Sequence, residues 1–247
     1  MKTRLTILGL AICLVFPSLA RAGDKLMVAV AANYMVPFQE IRELFVKKYH
    51  IEVEQTFAST GKFYAQIIHG APYDLFLAAD EQRPKLLFDQ GLATEPFIYA
   101  TGRLIVWTAK ADLRQAKNWQ DLIKSSAVQK IAIANIENAP YATAAKIALE
   151  KVGLWDSVQG KLVFAQDVAQ VFQYAHTGAV DVGFCPLSVM GNDLGQSGFY
   201  LKVDQAPPIV QAACVIKNSK HREAAEELAA FLTSAEVMAI KQRIGYE

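Results

Sequence analysis

The polar turn in FASTGKFYAQI, residues 57–67, first suggests chemistry, because a glycine and a lysine stand directly before a helical pattern. Such a turn resembles a phosphate-binding loop. A Walker-type loop, however, has two glycines framing four residues and a Ser or Thr directly after the lysine. Here Gly61 is the single glycine of the turn, and Phe63 follows Lys62. The turn is therefore not a nucleotide-binding loop, and its polar residues require another explanation.

Four predicted junctions between a strand and the following helix carry small or polar residues. In open α/β sheets, ligands bind beyond the carboxyl ends of the strands, at the N-termini of the following helices. A helix N-terminus offers unpaired backbone N–H groups and about half a positive charge, which suits an anion without any lysine or arginine. Asn33 and Thr60 can add side-chain donors, and Tyr141 can add its backbone N–H or its hydroxyl. The four junctions are residues 31–33 (AAN), 59–61 (STG), 135–141 (NIENAPY) and 166–168 (QDV).

Each junction taken alone has a simpler interpretation. Asn, Ser and Thr are ordinary N-cap residues, worth about 1 kcal/mol each without any ligand. Four such junctions, two in each half of an exported chain, favour an anion site between the halves. Lys62 would then be a solvated charge near the rim of that site.

The remaining reactive residues give weak indications of an enzyme. The four histidines lack a metal-ligand spacing such as His-x-x-x-His. The GQSGF segment at 195–199 lacks the spacing of a G-x-S-x-G nucleophile elbow. Asp80 is explained as a helix cap, and nothing pairs it with Asp74 as acid and base. We therefore expect a binding protein without catalytic residues or direct metal ligands; a secreted hydrolase on a similar two-lobed scaffold is the alternative.

Short apolar runs alternate with amphipathic helical stretches along the chain, beginning with the strand-like LMVAVAAN at 26–33. This alternation predicts α/β architecture, with mostly parallel sheets flanked by helices. The pattern restarts after about residue 104, which predicts two lobes with a ligand cleft between them. The absence of a flexible linker favours a tight hinge. The predicted first lobe comprises residues 23–103 and 206–247, and the second comprises 104–205.

Residues 1–22 have the layout of a secretory signal peptide. Lys2 and Arg4 precede an apolar run of about a dozen residues, and Ala-Arg-Ala at 20–22 supplies a cleavage pattern. The run is too short to span a bilayer. Cleavage after Ala22 removes three basic residues and no acidic one, which lowers the formal net charge from +1 to −2. Such a protein has no basic field for nucleic acid or anionic lipid. The predicted signal peptide indicates an exported, soluble protein, which we expect to be a monomer.

Cys185 and Cys214 are the two cysteines beyond the predicted signal peptide. An oxidising compartment permits a disulfide between them. Both lie in apolar, strand-like runs, where cysteine commonly acts as a small hydrophobic residue. The sequence leaves their pairing open.

Several segments together resemble the periplasmic molybdate-binding proteins of ABC importers, which have the type II periplasmic binding protein fold. The similarity is carried by VAAN, TFASTGKFYAQI, GAPYDLFLAAD, ENAPYATAAKIALEKVGLWD and QDVAQ, and it covers nearly the whole mature chain. The resemblance implies a two-lobed protein of the periplasm that holds molybdate or tungstate through its oxygens, needs no cofactor and delivers the ion to a membrane permease. Another tetrahedral oxyanion, sulfate or phosphate, is the alternative ligand.

The resemblance also implies which residues lie against the oxyanion. Val168 would contribute its backbone N–H, and Ala32, which has no hydroxyl, would contribute at most its backbone. Some members use a tyrosine near the end of the DVGF strand, where this chain has Pro186, which cannot donate a hydrogen bond. The number of donors therefore stays open. Carried over by position, the oxyanion-binding residues are Asn33, Thr60, Tyr141, Val168, Ala32 and Ser59.

Overall fold

Two five-stranded sheets organise the chain, and the computed structural model describes residues 25–247. The predicted signal peptide lies outside the described residues. The strand order is β2-β1-β3-β10-β4 in the first sheet and β7-β6-β8-β5-β9 in the second. The strands are β1 (Leu26–Ala31), β2 (Val53–Ala58), β3 (Leu75–Leu77), β4 (Phe97–Gly102), β5 (Leu104–Thr108), β6 (Ile131–Ala134), β7 (Leu162–Ala165), β8 (Val182–Pro186), β9 (Phe199–Lys202) and β10 (Ile209–Val215).

In each sheet four strands run in one direction and one strand runs against them. β1 is parallel to β2 and β3, whereas β10 is antiparallel to β3 and β4. In the second sheet β6 is parallel to β7 and β8, whereas β5 is antiparallel to β8 and β9. The reversed strand is in both cases the one that the chain enters directly after crossing from the other sheet. The predicted parallel direction therefore dominates, although both sheets are mixed.

Helices cover both sheets, and we call each sheet with its helices a lobe. The first lobe carries α1 (Met35–Tyr49), α2 (Thr60–Ile68), α3 (Gln82–Asp89), α9 (Arg222–Phe231) and α10 (Ala235–Arg243). The second lobe carries α4 (Trp119–Lys124), α5 (Pro140–Lys151), α6 (Trp155–Val158), α7 (Val168–His176) and α8 (Asp193–Gln196). Short 3-10 helices lie at Ala32–Tyr34, Ala111–Gln115, Gln159–Lys161 and Leu187–Gly191.

Apolar spacing in the sequence explains how the helices attach. Phe38, Ile41 and Phe45 recur at helical spacing along α1, and all three are fully buried against the first sheet. Phe63 of α2 packs on the opposite face of that sheet. The second lobe has one continuous core that includes Trp107. Strands β1 and β6, each in the middle part of its sheet, are almost wholly buried, so the helix starts that follow them are held on packed supports.

Three features of the fold differ from the sequence prediction. Strands β4 and β9 were not predicted; both are edge strands, and β9 is four residues long without a buried residue. The sequence from residue 222 onward is strongly helical in pattern, but the structure divides it into α9 and α10. The first ends at Phe231, and Ser234 caps the second, because its hydroxyl accepts a hydrogen bond from Val237 N.

Cys185 in β8 and Cys214 in β10 are both buried and free. They lie in different sheets, one in each lobe. Burial raises the pKa of the Cys214 thiol to about 12 and raises that of Cys185 still further. Both cysteines therefore serve as small apolar core residues.

Candidate functional site

A small enclosed cavity, about 10 Å³ in volume, lies between the two lobes. It sits beyond the carboxyl ends of β1, β2 and β3 in the first lobe and of β6 and β7 in the second. A space this small suits a compact ligand. The lining residues are Ala31, Ala32, Asn33, Ser59, Thr60, Ala79, Ala139, Pro140, Tyr141, Asp167 and Val168.

The structure brings all six sequence-predicted site residues into this one lining. They come from four helix starts, two in each lobe. The 3-10 turn Ala32–Tyr34 leads into α1, Ser59 and Thr60 begin α2, Tyr141 is the second residue of α5, and Val168 is the first of α7. Backbone N–H groups at these positions have no acceptor within their own helices. The cavity is therefore surrounded by hydrogen-bond donors of the main chain.

Ordinary capping does not account for these helix starts. Ser59 is the N-cap of α2, yet its side chain makes no capping hydrogen bond, and Ala139 at the N-cap of α5 has no polar side chain. Asp167 does cap α7, because its Oδ1 accepts hydrogen bonds from Ala169 N and Gln170 N, each 3.0 Å long. That cap bypasses Val168 N at the cavity wall. Three of the four helix starts thus leave their terminal donors without a side-chain cap.

Thr60 has a fixed hydroxyl at the cavity wall. Its side-chain oxygen accepts a hydrogen bond of 2.9 Å from Ala79 N, and the residue is 1% exposed. A threonine hydroxyl that accepts one hydrogen bond still has its own proton to donate. Thr60 can therefore offer an oriented neutral donor to a ligand.

Asn33 differs from the sequence expectation of a free side-chain donor. Its Nδ2 donates to Gln211 Oε1 at 2.8 Å and to the Tyr246 hydroxyl at 3.0 Å. Both N–H groups of the amide are thus used inside the protein. The backbone of Asn33, at the start of α1, is the part of this residue that remains available at the cavity wall.

Tyr141 likewise uses its side chain for another purpose. Its hydroxyl lies 3.3 Å from Gln211 Nε2, in a space that exists because Gly102 has no side chain. A Cβ at Gly102 would lie 1.9 Å from that hydroxyl. The phenol is therefore anchored where the chain crosses between the lobes, and the backbone N–H of Tyr141 is the group left for a ligand.

Gln211 and Tyr246 were missed in the sequence. Gln211 is a fully buried polar residue within the apolar strand β10, and that contrast was the available signal. Tyr246 gave no signal, because its contact with Asn33 joins residues 213 positions apart. Burial raises the pKa of both Tyr141 and Tyr246, so their phenols stay neutral at physiological pH.

The electrostatics of the cavity are those of backbone dipoles. Its lining, within residues 25–247, includes no Lys, Arg or His, and Asp167 is the charged residue present. Lys62 is exposed and lies outside the lining. Arg83, also outside the lining, pairs with Asp80 and donates to Glu137 O of the second lobe at 2.6 Å. The site thus offers neutral donors and helix dipoles for an anion.

The two lobes touch directly beside the cavity. Gly61 N donates a 2.8 Å hydrogen bond to Asn138 O of the opposite lobe. A Cβ at position 61 would lie 2.6 Å from Asn138 Oδ1 and 2.8 Å from its Cα. The glycine of the STG turn is therefore required by the close approach of the second lobe.

Other candidate features of the sequence lie apart from the cavity. Pro186 ends β8 opposite Leu104 and is not part of the lining. Asp74 accepts hydrogen bonds from Met27 N and from the hydroxyl of Ser219, which gives it a structural role. Among the described residues, no group of three or more His, Cys, Asp or Glu side chains is arranged to hold a metal ion. In the same part of the chain, no helix has both the length and the apolar character to cross a bilayer.

Comparison with known proteins gives consistent matches over most of the chain. The family model for bacterial extracellular solute-binding proteins matches residues 26–247. The molybdate-binding protein ModA of Rhodobacter capsulatus is 34% identical over 98% of this chain and 94% of its own length. ModA of Azotobacter vinelandii is 35% identical over 92% and 91%. The solved structure of the Azotobacter vinelandii periplasmic molybdate-binding protein superposes with a TM-score of 0.84 at 31% identity, covering 90% of this chain and 99% of that one.

Proposed function

This chain belongs to the family of bacterial extracellular solute-binding proteins, and from that premise we propose that it captures molybdate or tungstate and delivers the ion to an ABC-type membrane permease. It is a binding protein and not an enzyme. The ion is its cargo, and no cofactor is required. We further propose that residues 1–22 are cleaved on export to the periplasm and that the mature protein is a monomer.

The observation that carries this proposal is that four helix starts converge on one cavity whose described lining has no Lys, Arg or His side chain. A helix N-terminus binds a tetrahedral oxyanion through backbone N–H groups and the positive end of its dipole. We assign the ligand contacts to backbone N–H groups of Asn33, Tyr141 and Val168 and to the hydroxyl of Thr60. Ala32 and Ser59 complete the wall beside them.

Neutral donors also suit release of the ion. A dianion held by several charge-assisted hydrogen bonds is bound tightly without a lysine or arginine that would have to be desolvated. When the lobes separate, donors from one lobe leave the ion and the cavity opens to water. Binding therefore favours the closed arrangement, and opening at the permease would lower the affinity.

Selection against sulfate would rest on cavity size, because sulfate and molybdate have the same charge and shape. A donor cage built for longer metal–oxygen bonds leaves a smaller ion with stretched hydrogen bonds. The cage is made by two lobes, and we propose that they comprise residues 23–103 with 206–247 and residues 104–205. The distance between the lobes then sets the size of the ion that is bound best.

Thermal unfolding with separate additions of molybdate, tungstate, sulfate and phosphate tests the proposed function. A ligand at a hundredfold excess over its dissociation constant adds about 2.7 kcal/mol of stability. We expect stabilisation by molybdate and tungstate at concentrations where sulfate and phosphate have no effect. Stabilisation by sulfate or phosphate alone would assign the site to another oxyanion, and no stabilisation by any of the four would refute an oxyanion site.

A further inference from the structure

A buried hydrogen-bond network lies beside the cavity and joins both lobes. Its members are uncharged, and each is in direct hydrogen-bond contact with at least one other. The first lobe supplies Asn33, Tyr99, Gln211 and Tyr246, and the second lobe supplies Tyr141 and Ser188.

Tyr246 contacts Asn33 at two points. Its hydroxyl donates a 2.7 Å hydrogen bond to Asn33 O and accepts a 3.0 Å hydrogen bond from Asn33 Nδ2. Ser188 of the second lobe donates to the same carbonyl at 2.7 Å, and its oxygen lies 3.3 Å from the Tyr246 hydroxyl. All three residues are buried, so these bonds form without competition from water. One phenol therefore fixes the backbone and the side chain of Asn33 and places them against the second lobe.

We propose that Tyr246 is a positioning residue of the oxyanion site, acting through Asn33 and Ser188 without touching the ligand. This inference rests on the proposed function. Tyr246 is not part of the cavity lining, whereas Asn33 is. A binding site depends on donors held within about 0.5 Å of their productive positions by surrounding contacts. With the hydroxyl of Tyr246 present, the start of α1 is fixed before the ion arrives, and less ordering is required on binding.

Tyr34 provides a matched control within the same aromatic cluster. The Tyr34 and Tyr246 rings are 5.1 Å apart between centroids, and both residues are buried. The hydroxyl of Tyr34, however, has no hydrogen-bond partner among the described residues. Replacing either tyrosine with phenylalanine removes one buried hydroxyl and keeps the ring. The two substitutions differ in whether that hydroxyl orients the site.

Calorimetric titration of the purified protein with molybdate tests the positioning role, together with thermal unfolding without ligand. We expect Tyr246→Phe to weaken molybdate binding about tenfold or more, because two hydrogen bonds to Asn33 are lost. Tyr34→Phe should bind within about twofold of the unaltered protein. The role is refuted if Tyr246→Phe lowers only the unfolding temperature and leaves the affinity unchanged. It is equally refuted if both substitutions weaken binding alike, because packing would then explain the effect.

A second variant keeps the inference testable if Tyr246→Phe fails to fold. Ser188→Ala removes the donor from the second lobe to the same Asn33 carbonyl, and we expect it to weaken molybdate binding several-fold. Unchanged affinity in Ser188→Ala would contradict the role. Failure of the proposed function has a different signature, because the unaltered protein would then show no heat of binding with molybdate or tungstate. The same variants titrated with whichever of sulfate and phosphate binds would then decide the positioning role.

Discussion

Replacing Gly61 with alanine tests whether close contact between the lobes is needed for tight binding. The added Cβ would lie 2.8 Å from Asn138 Cα, whereas carbon atoms in contact rest about 3.5–4.0 Å apart. The backbone of Asn138 must therefore retreat by roughly 0.7 Å or more. The hydrogen bond from Gly61 N to Asn138 O belongs to the same contact and would be lost or lengthened. Because Asn138 lies on the opposite lobe, this clash exists only while the lobes are together.

The magnitude follows from two losses in the closed arrangement. Overpacking costs about 1–3 kcal/mol, and the lost hydrogen bond costs about 0.5–1.5 kcal/mol. A total of about 2 kcal/mol or more weakens molybdate binding at least roughly 30-fold. The ligand-free protein should lose no stability, because Gly61 has no positive φ and lies in the first turn of α2, where alanine is favoured over glycine by about 0.5–1 kcal/mol.

Calorimetric titration with molybdate and thermal unfolding without ligand measure these two quantities separately. Gly160→Ala is the matched control, because a Cβ at Gly160 meets no atom within 4 Å. Its affinity should equal that of the unaltered protein. The reasoning is wrong if Gly61→Ala binds molybdate within about twofold of the unaltered protein. A large loss of ligand-free stability in Gly61→Ala would instead show that the glycine is needed for the folding of its own lobe.

Three further predictions concern the wall of the site and the core. Thr60→Ala should weaken molybdate binding about 10- to 100-fold, because a hydrogen bond to a charged group is worth about 1.5–3 kcal/mol. Thr60→Ser should retain affinity, and equal losses in the two variants would count against a hydroxyl donor. Burial lowers the pKa of Lys241, which donates to Tyr99 O, from 10.5 to about 8. Between pH 10.5 and about 8 the unfolded chain therefore binds more protons than the folded one, so the free energy of unfolding should rise with pH in that range. A similar rise in Lys241→Met would contradict this assignment. Cys185 and Cys214 should resist iodoacetamide in the folded protein, because burial raises the pKa of both thiols; rapid labelling would disprove their burial.

The sequence predicted the parts of the site that depend on local pattern. Thr60 and Val168 each begin a helix that follows a strand. This order of strand and helix can be predicted from the spacing of apolar residues and from the polar residues between the apolar segments. Parallel strand direction then brings such helix starts to one edge of a sheet. The four junctions could therefore be predicted from local pattern, whereas the assignment of individual residues such as Val168 and Ala32 to the site came from the family resemblance.

Contacts between distant segments could not be predicted in the same way. Asn33 was expected to offer its side chain to a ligand, but Gln211, 178 positions away, takes one of its donors. Gly61 was noted in the sequence only as the single glycine of a turn that lacks the pattern of a nucleotide-binding loop. Its importance comes from Asn138, which approaches from the other lobe. Such roles depend on how the two lobes contact each other, and the sequence pattern of either lobe alone does not predict that contact.

The position of β10 has a consequence for the order in which the molecule can assemble. β10 lies between β3 and β4, so β4 has no neighbour in its sheet until residues 209–215 are available. The second sheet has all five of its strands between residues 104 and 202. During synthesis, which begins at the N-terminus, the second lobe can therefore be completed while the first lobe still exposes an unpaired strand edge. Such an edge is a template for aggregation. The first sheet is then completed by the insertion of β10, the same strand that carries Gln211 into the network beside the cavity.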